Sequence, residues 1–250
     1  MEGVTISPEF AEWFPDVSFD GVAAQFPLAL EEHRKRTLVC KETLTNPAGQ
    51  ALTVYFKVYA SRKRALDGFA RRSRALCEAA NLDRFDAWGI RTPGVVARGY
   101  RRRVGGLCAD QSFIITRAAD AEALVDWWTS KKLPASAEVR DGIIKELAGQ
   151  TRVLHKQRFF HQDLKWRNLL VNEAYQLWWI DCPSGHFGRF PWRLTHGRMK
   201  DLATLDILGK DRCTPEERRL FLSVYLGTQD EGILERWARM VVNYCEKRFR

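Results

Sequence analysis

The sequence predicts an α+β fold in two lobes, with an antiparallel sheet in residues 1–117 and a mainly helical part in 118–250. Three observations carry this. Two runs rich in β-branched and aromatic residues, 37–44 and 51–59, flank the turn Asn46-Pro47-Ala48-Gly49. Beyond residue 120, long segments carry apolar residues at helical spacing. Among those segments lies one short hairpin pattern, in which Leu169-Leu170-Val171 and 176–180 are joined by the polar turn Asn172-Glu173-Ala174.

Taken in order, residues 1–35 hold aromatics and prolines and read as a first strand plus irregular backbone. The strands at 37–44 and 51–59 form a hairpin that carries Lys57 near its end. Residues 66–82 place Leu66, Phe69, Leu76 and Ala80 on one side of a helix that bears Glu78. Strands are expected at 95–100 and 112–116, a hinge at 118–120, and helices at 121–129 and 137–157. After the hairpin ending at Asp181, helices are expected at 200–208, after the cap Thr214-Pro215-Glu216-Glu217, and at 233–249. A sheet-rich lobe followed by a helical one makes a cleft suited to a nucleotide.

Nine Trp and fourteen Phe supply a substantial core for 250 residues. No apolar run approaches a membrane span, and the N-terminus has no basic start or apolar stretch of a secretory signal. The six cysteines are widely spaced with no C-x-x-C pair, which points to reduced thiols in a cytoplasmic protein. A net charge of +9, with clusters at 33–36, 62–64, 71–74 and 101–103, favours anionic partners. No nucleic-acid recognition motif accompanies it, so no nucleic-acid partner is expected.

The densest chemistry is His161-Gln162-Asp163-Leu164-Lys165-Trp166-Arg167-Asn168, then an apolar run, then Asp181. A carboxylate, an amide and a second carboxylate stand at the spacing phosphoryl transfer needs. Asp163 is expected to hold an acceptor hydroxyl in line with the phosphate. Asn168 and Asp181, meeting at adjacent strand ends, are expected to ligate magnesium (Mg2+). An acid directly after an apolar strand is costly unless paired or metal-bound. His161 is expected to support the loop by packing rather than to move protons. Lys165 is a candidate to neutralise the transferring phosphate, against a solvent-facing lysine. Asp201 is a candidate acceptor for the loop backbone, against an ordinary helix-end acid. Lys57 is the candidate for the phosphates of ATP. Glu78, the only glutamate between Glu42 and Glu122, is its expected partner, with Asp67 the weaker alternative.

Together these residues resemble the protein-kinase-like superfamily. Val54-Tyr55-Phe56-Lys57 matches the form of its Val-Ala-Ile-Lys strand, and residues 161–168 match its catalytic loop. The resemblance implies a bilobal fold with ATP and magnesium. Two departures stand out. Asp181-Cys182-Pro183 replaces Asp-Phe-Gly, which keeps the metal-binding acid but stiffens the backbone, so less regulation by loop movement is expected. No G-x-G-x-x-G precedes Lys57, since Gly3 and Gly21 are isolated.

Only nineteen residues, 182–200, separate Asp181 from Asp201, and they are basic and lack Ala-Pro-Glu. That argues for a small or glycolipid acceptor over a docked peptide. Glu78 with Trp88-Gly89-Ile90-Arg91-Thr92-Pro93, and Gly197-Arg198-Met199-Lys200-Asp201-Leu202-Ala203-Thr204-Leu205, resemble the bacterial lipopolysaccharide kinase family (Kdo/WaaP type) over about 35–230. The resemblance implies phosphorylation of a heptose or Kdo sugar of the lipopolysaccharide core glycolipid by ATP. It also implies a site at the cytoplasmic face of the inner membrane, with peripheral contact to anionic lipid. Arg189, Arg193, Arg198 and Lys200 are then candidates to meet the anionic sugar or lipid phosphates. The rival readings are an aminoglycoside- or choline-kinase-like enzyme of the same fold, and a nucleotide-binding pseudokinase scaffold.

Overall fold

The computed structural model describes residues 2–26, 37–59, 73–101, 111–129 and 136–249. Asp67, the clusters at 33–36 and 62–64, Arg71, Arg72, Arg102 and Arg103, and the first part of the helix expected at 66–82, lie outside these residues. The chain forms two units, one of residues 1–84 and 93–119, the other of 85–92 and 120–250.

In the first unit, Glu2–Ile6 (β1) is followed by the short helix Phe19–Ala24 (α1), and then by strands Leu38–Thr45 (β2) and Ala51–Tyr59 (β3). Helix Arg74–Ala87 (α2), up to Arg84, and strands Val95–Arg101 (β4) and Gln111–Arg117 (β5) complete it. The strands form one antiparallel sheet in the order β1-β4-β5-β3-β2. The hairpin turn works as its residues dictate. Gly49 sits at φ +78°, its N–H donates to the Asn46 carbonyl, and the Asn46 side chain accepts from the Gln50 N–H at 2.8 Å.

The two-residue period of β3 buries Leu52, Val54, Phe56 and Val58 on one face. They pack with Phe10, Phe14, Phe19, Phe26 and Phe113, and Phe26 stacks on Phe56 at 4.1 Å. Truncating one such fully buried ring costs about 3–5 kcal/mol. Lys57 points to the opposite face. The pairing of β1 with β4, Glu2 opposite Arg101, spans almost the whole unit and has no local signal.

The second unit contains Glu122–Ala123 (β6), helices Leu124–Thr129 (α3) and Ala137–Lys156 (α4), and strand Phe159–Phe160 (β7). Then come Leu169–Val171 (β8), Leu177–Trp179 (β9), His186–Phe187 (β10), and helices Pro191–Arg212 (α5), Pro215–Leu226 (α6) and Glu231–Phe249 (α7). The protein is thus α+β, with an antiparallel sheet first and helices after, the protein-kinase-like arrangement expected.

Helix α1 lies in a segment expected to be irregular, α2 runs on to Ala87 past the expected end at 82, and β7 and β10 form an unexpected pair. Two further differences have a clear physical cause. Residues 121–129 do not form one helix, because Glu122 and Ala123 pair with Val171 and Leu170 of β8 before the helix begins. A sheet edge outweighs the helix propensity of Ala-Glu-Ala. The helix expected at 200–208 begins much earlier, at Pro191, and runs to Arg212. Pro191 at the first helical position is a start signal, whereas His196-Gly197 weakens the pattern. Gly197 has a packing reason. A Cβ there would lie 2.4 Å from the Phe160 ring, so glycine lets α5 approach β7. The start at Thr214 is a full capping box, with Thr214 and Glu217 satisfying each other's backbone N–H.

Candidate active site

In the first unit, Lys57 Nζ lies 3.1 Å from Glu78 Oε1, the side chains being 15% and 5% exposed. The strand period puts Tyr59 on the same side as Lys57. The Tyr59 hydroxyl donates to Glu78 Oε2, and its ring lies 5.1 Å from Lys57 Nζ. The Arg74 guanidinium lies 4.7 Å from the same ring. A buried carboxylate is costly unless its oxygens are satisfied, and here an ammonium and a phenol satisfy one each. Tyr59 was not singled out from sequence; its signal was its place two residues beyond Lys57 in a strand.

In the second unit, β8 and β9 pair with Leu169 opposite Trp179. The ladder extends one step further, where the Ile180 N–H donates to the Asn168 carbonyl at 3.0 Å. Asp181 therefore follows the residue paired with Asn168. The Asn168 side-chain amide donates to the Asp163 carbonyl at 2.8 Å. This leaves its Oδ1 for a cation and ties the three residues into one local unit. An amide oxygen and a carboxylate are hard donors, and magnesium is commonly held by one or two such groups with phosphates and water supplying the rest. No cluster of three or more His, Cys, Asp or Glu suited to a metal occurs among the described residues. One amide oxygen and one carboxylate are a donor set of the kind that magnesium takes together with phosphates and water.

Asp163 and Lys165 form an ion pair at 2.5 Å, with side chains 38% and 40% exposed. At that exposure the pair adds little stability, and both groups stay reachable from solvent. Two side chains here sit in left-handed backbone, Gln162 at φ +71° and Asp181 at φ +59°. Such strain persists only where surroundings impose it, and it concentrates at functional sites.

Asp201 imposes it at Gln162. This fully buried carboxylate accepts the His161 N–H on Oδ2 and the Gln162 N–H on Oδ1, both at 2.8 Å. His155 Nε2 lies 3.3 Å from Oδ2, and His155 Nδ1 lies 2.9 Å from the Tyr225 hydroxyl. Burial pushes the Tyr225 phenol above its ordinary range. Sequence reasoning missed His155 and Tyr225, since partners 46 and 70 positions from His155 share no pattern. His161 itself is buried among Phe85, Trp179 and the Cys182 thiol, which donates to the His161 carbonyl. Desolvation lowers its pKa, opposed by the negative charges of Asp201, Asp181 and Asp163. A neutral, enclosed ring is suited to packing.

The four basic candidates after Asp181 do not form one group. Lys200 Nζ donates to Gln162 Oε1 at 2.9 Å, beside the 161–168 loop. Arg198 is partly buried, with its Nε enclosed. Arg189 and Arg193 are exposed.

The model of the lipopolysaccharide kinase (Kdo/WaaP) family matches residues 53–225. No curated protein matches the chain. Among solved structures, one described as WaaP in complex with acyl carrier protein superposes with a TM-score of 0.62 at 19% identity, covering 97% of this chain and 99% of that one. At this identity the likeness is one of fold.

Proposed function

The chain belongs to the lipopolysaccharide kinase (Kdo/WaaP) family, and on that premise we propose that it transfers the γ-phosphate of ATP to a hydroxyl of a heptose or Kdo sugar in the lipopolysaccharide inner core. The observation that supports this reading is the Asp163–Asn168–Ile180 linkage, in which the Asn168 amide donates to the Asp163 carbonyl and the Ile180 N–H donates to the Asn168 carbonyl, so that Asp163, Asn168 and Asp181 lie on one hydrogen-bonded stretch of backbone.

Asp163 orients the acceptor hydroxyl and takes its proton as the phosphate bond forms. Lys165, paired to Asp163, offers positive charge to the transferring group. Lys57, held by Glu78, binds the nucleotide phosphates. Asn168 Oδ1 and Asp181 would hold magnesium, which supplies charge neutralisation to the phosphate oxygens. Asp201 and His161 keep the loop in shape. The basic segment 182–200 favours an anionic acceptor over an aminoglycoside or choline. We place the reaction at the cytoplasmic face of the inner membrane.

The test is to incubate the purified chain with labelled ATP, magnesium and lipopolysaccharide core fractions. Label should enter sugar, and Asp163→Ala should abolish the transfer. Nucleotide binding without transfer to any acceptor would instead indicate a scaffold.

A partner proposal rests on a cavity of about 570 Å³ within the second unit, lined by Trp128, Ile144, Leu147, Leu205, Phe221 and Leu234 among others. Its size is that of a ligand pocket. With the solved WaaP in complex with acyl carrier protein, we extend that partner to this chain, its acyl group filling the cavity. Co-expression and gel filtration with acylated and unacylated carrier should show binding that depends on the acyl group.

A further inference from the structure

Between Asp181 and Asp201 the chain has no acidic residue. Eight large hydrophobic side chains are exposed among the described residues, and three of them fall within six positions here. Phe187 is 48%, Phe190 54% and Trp192 65% exposed. Residues 189–193 are exposed without interruption. Phe187 leans on Trp88 and Phe159, whereas Phe190 and Trp192 have the Arg193 guanidinium beside them, at 5.9 and 4.9 Å from their rings. Pro191 disfavours helical backbone in the residue before it, and Phe190 is extended at φ −109°, ψ 146°.

Aromatic rings left in water lose the free energy of burial, so an uninterrupted exposed set calls for another environment. The order of residues indicates which one. Arg189, Phe190, Trp192 and Arg193 put cations directly on either side of the rings. Protein interfaces are also enriched in Trp, Phe and Arg, but a second copy of this chain would set Arg189 and Arg193 against a molecule that itself carries a net charge of +9. A bilayer surface takes aromatic rings at headgroup depth and guanidinium groups on the phosphates at once. We propose that Phe190 and Trp192 insert into the interface of an anionic phospholipid bilayer while Arg189 and Arg193 bind its headgroups. The purpose of this contact rests on the glycolipid acceptor proposed above, but its test needs no acceptor and no turnover.

The experiment is flotation of the full chain with vesicles of phosphatidylcholine alone or mixed with phosphatidylglycerol. The wild type should float with the mixed vesicles, less so as salt rises. Phe190→Ser/Trp192→Ser should weaken partitioning by about tenfold or more. Arg189→Glu/Arg193→Glu should remove the preference for phosphatidylglycerol. All four positions are exposed, so unfolding midpoints should stay close to wild type. No flotation with mixed vesicles, or equal flotation of the aromatic variant, overturns the proposal. So does a concentration-dependent dimer in sedimentation that the aromatic variant dissociates, which would assign the surface to a second copy of the chain. Phosphotransfer is measured separately, so loss of one reading leaves the other standing.

Discussion

Asp201 Oδ1 accepts the Gln162 backbone N–H at 2.8 Å, so a helix residue 39 positions downstream holds the residue before Asp163 at φ +71°. Both Asp201 oxygens are committed, the other to His161. Asp201→Asn must turn an NH2 toward one of these N–H groups. We expect a stability loss of about 1–3 kcal/mol by urea denaturation. We also expect at least tenfold lower kcat from the displaced loop. Full activity in the variant would remove Asp201 from the site.

Lys57 and Glu78 should behave as one unit. Lys57→Met and Glu78→Gln should each lower kcat/KM for ATP by roughly a hundredfold. The double variant should lose little more than either, giving a coupling energy of about 1–3 kcal/mol. Additive losses would mean that the pair seen at 3.1 Å has no joint role.

Asp181→Asn separates charge from backbone, because asparagine tolerates left-handed φ as aspartate does. The thermal midpoint should change little, while the magnesium concentration for half-maximal turnover rises steeply. Asp181→Val at the same φ should also destabilise by roughly 1–3 kcal/mol through backbone strain. A magnesium titration unchanged by Asp181→Asn would exclude Asp181 as a ligand.

His161 sets a pH dependence of stability. Burial lowers its pKa below the ordinary 6.5, so the unfolded chain protonates it where the fold does not. Stability from this group is complete above about 6.5 and is lost as pH falls from there toward the folded value. Its slope reaches about 1.4 kcal/mol per pH unit in that window. Urea midpoints measured from about pH 7 to pH 5 should fall less steeply in His161→Gln than in wild type. Parallel curves would show that another group is responsible.

Gly197→Ala places a methyl 2.4 Å from the Phe160 ring. Although alanine is the better helix former, the overlap should cost about 1–3 kcal/mol, seen as a lower unfolding midpoint. A stabilised variant would mean that α5 and β7 can separate freely.

Local pattern carried much of this protein. The hairpin around Asn46-Pro47-Ala48-Gly49, the capping box at Thr214, and the short hairpin joining Asn168 to Asp181 are each written in a few consecutive residues. Their geometry follows from φ preference and side-chain period. The hydrogen bonds that join Asp163, Asn168 and Ile180 follow for the same reason, since these residues lie within one loop and the hairpin beside it. Tertiary structure decided the rest. It paired β1 with β4 across the first unit, drew Glu122 onto a sheet edge, set Tyr59 against Glu78, and brought His155 and Tyr225 to Asp201. It also set Lys200 beside the 161–168 loop, enclosed the Arg198 Nε, and left Arg189 and Arg193 on an exposed aromatic patch. Those outcomes depend on which buried groups find partners once distant segments meet, and separation along the chain holds no record of that.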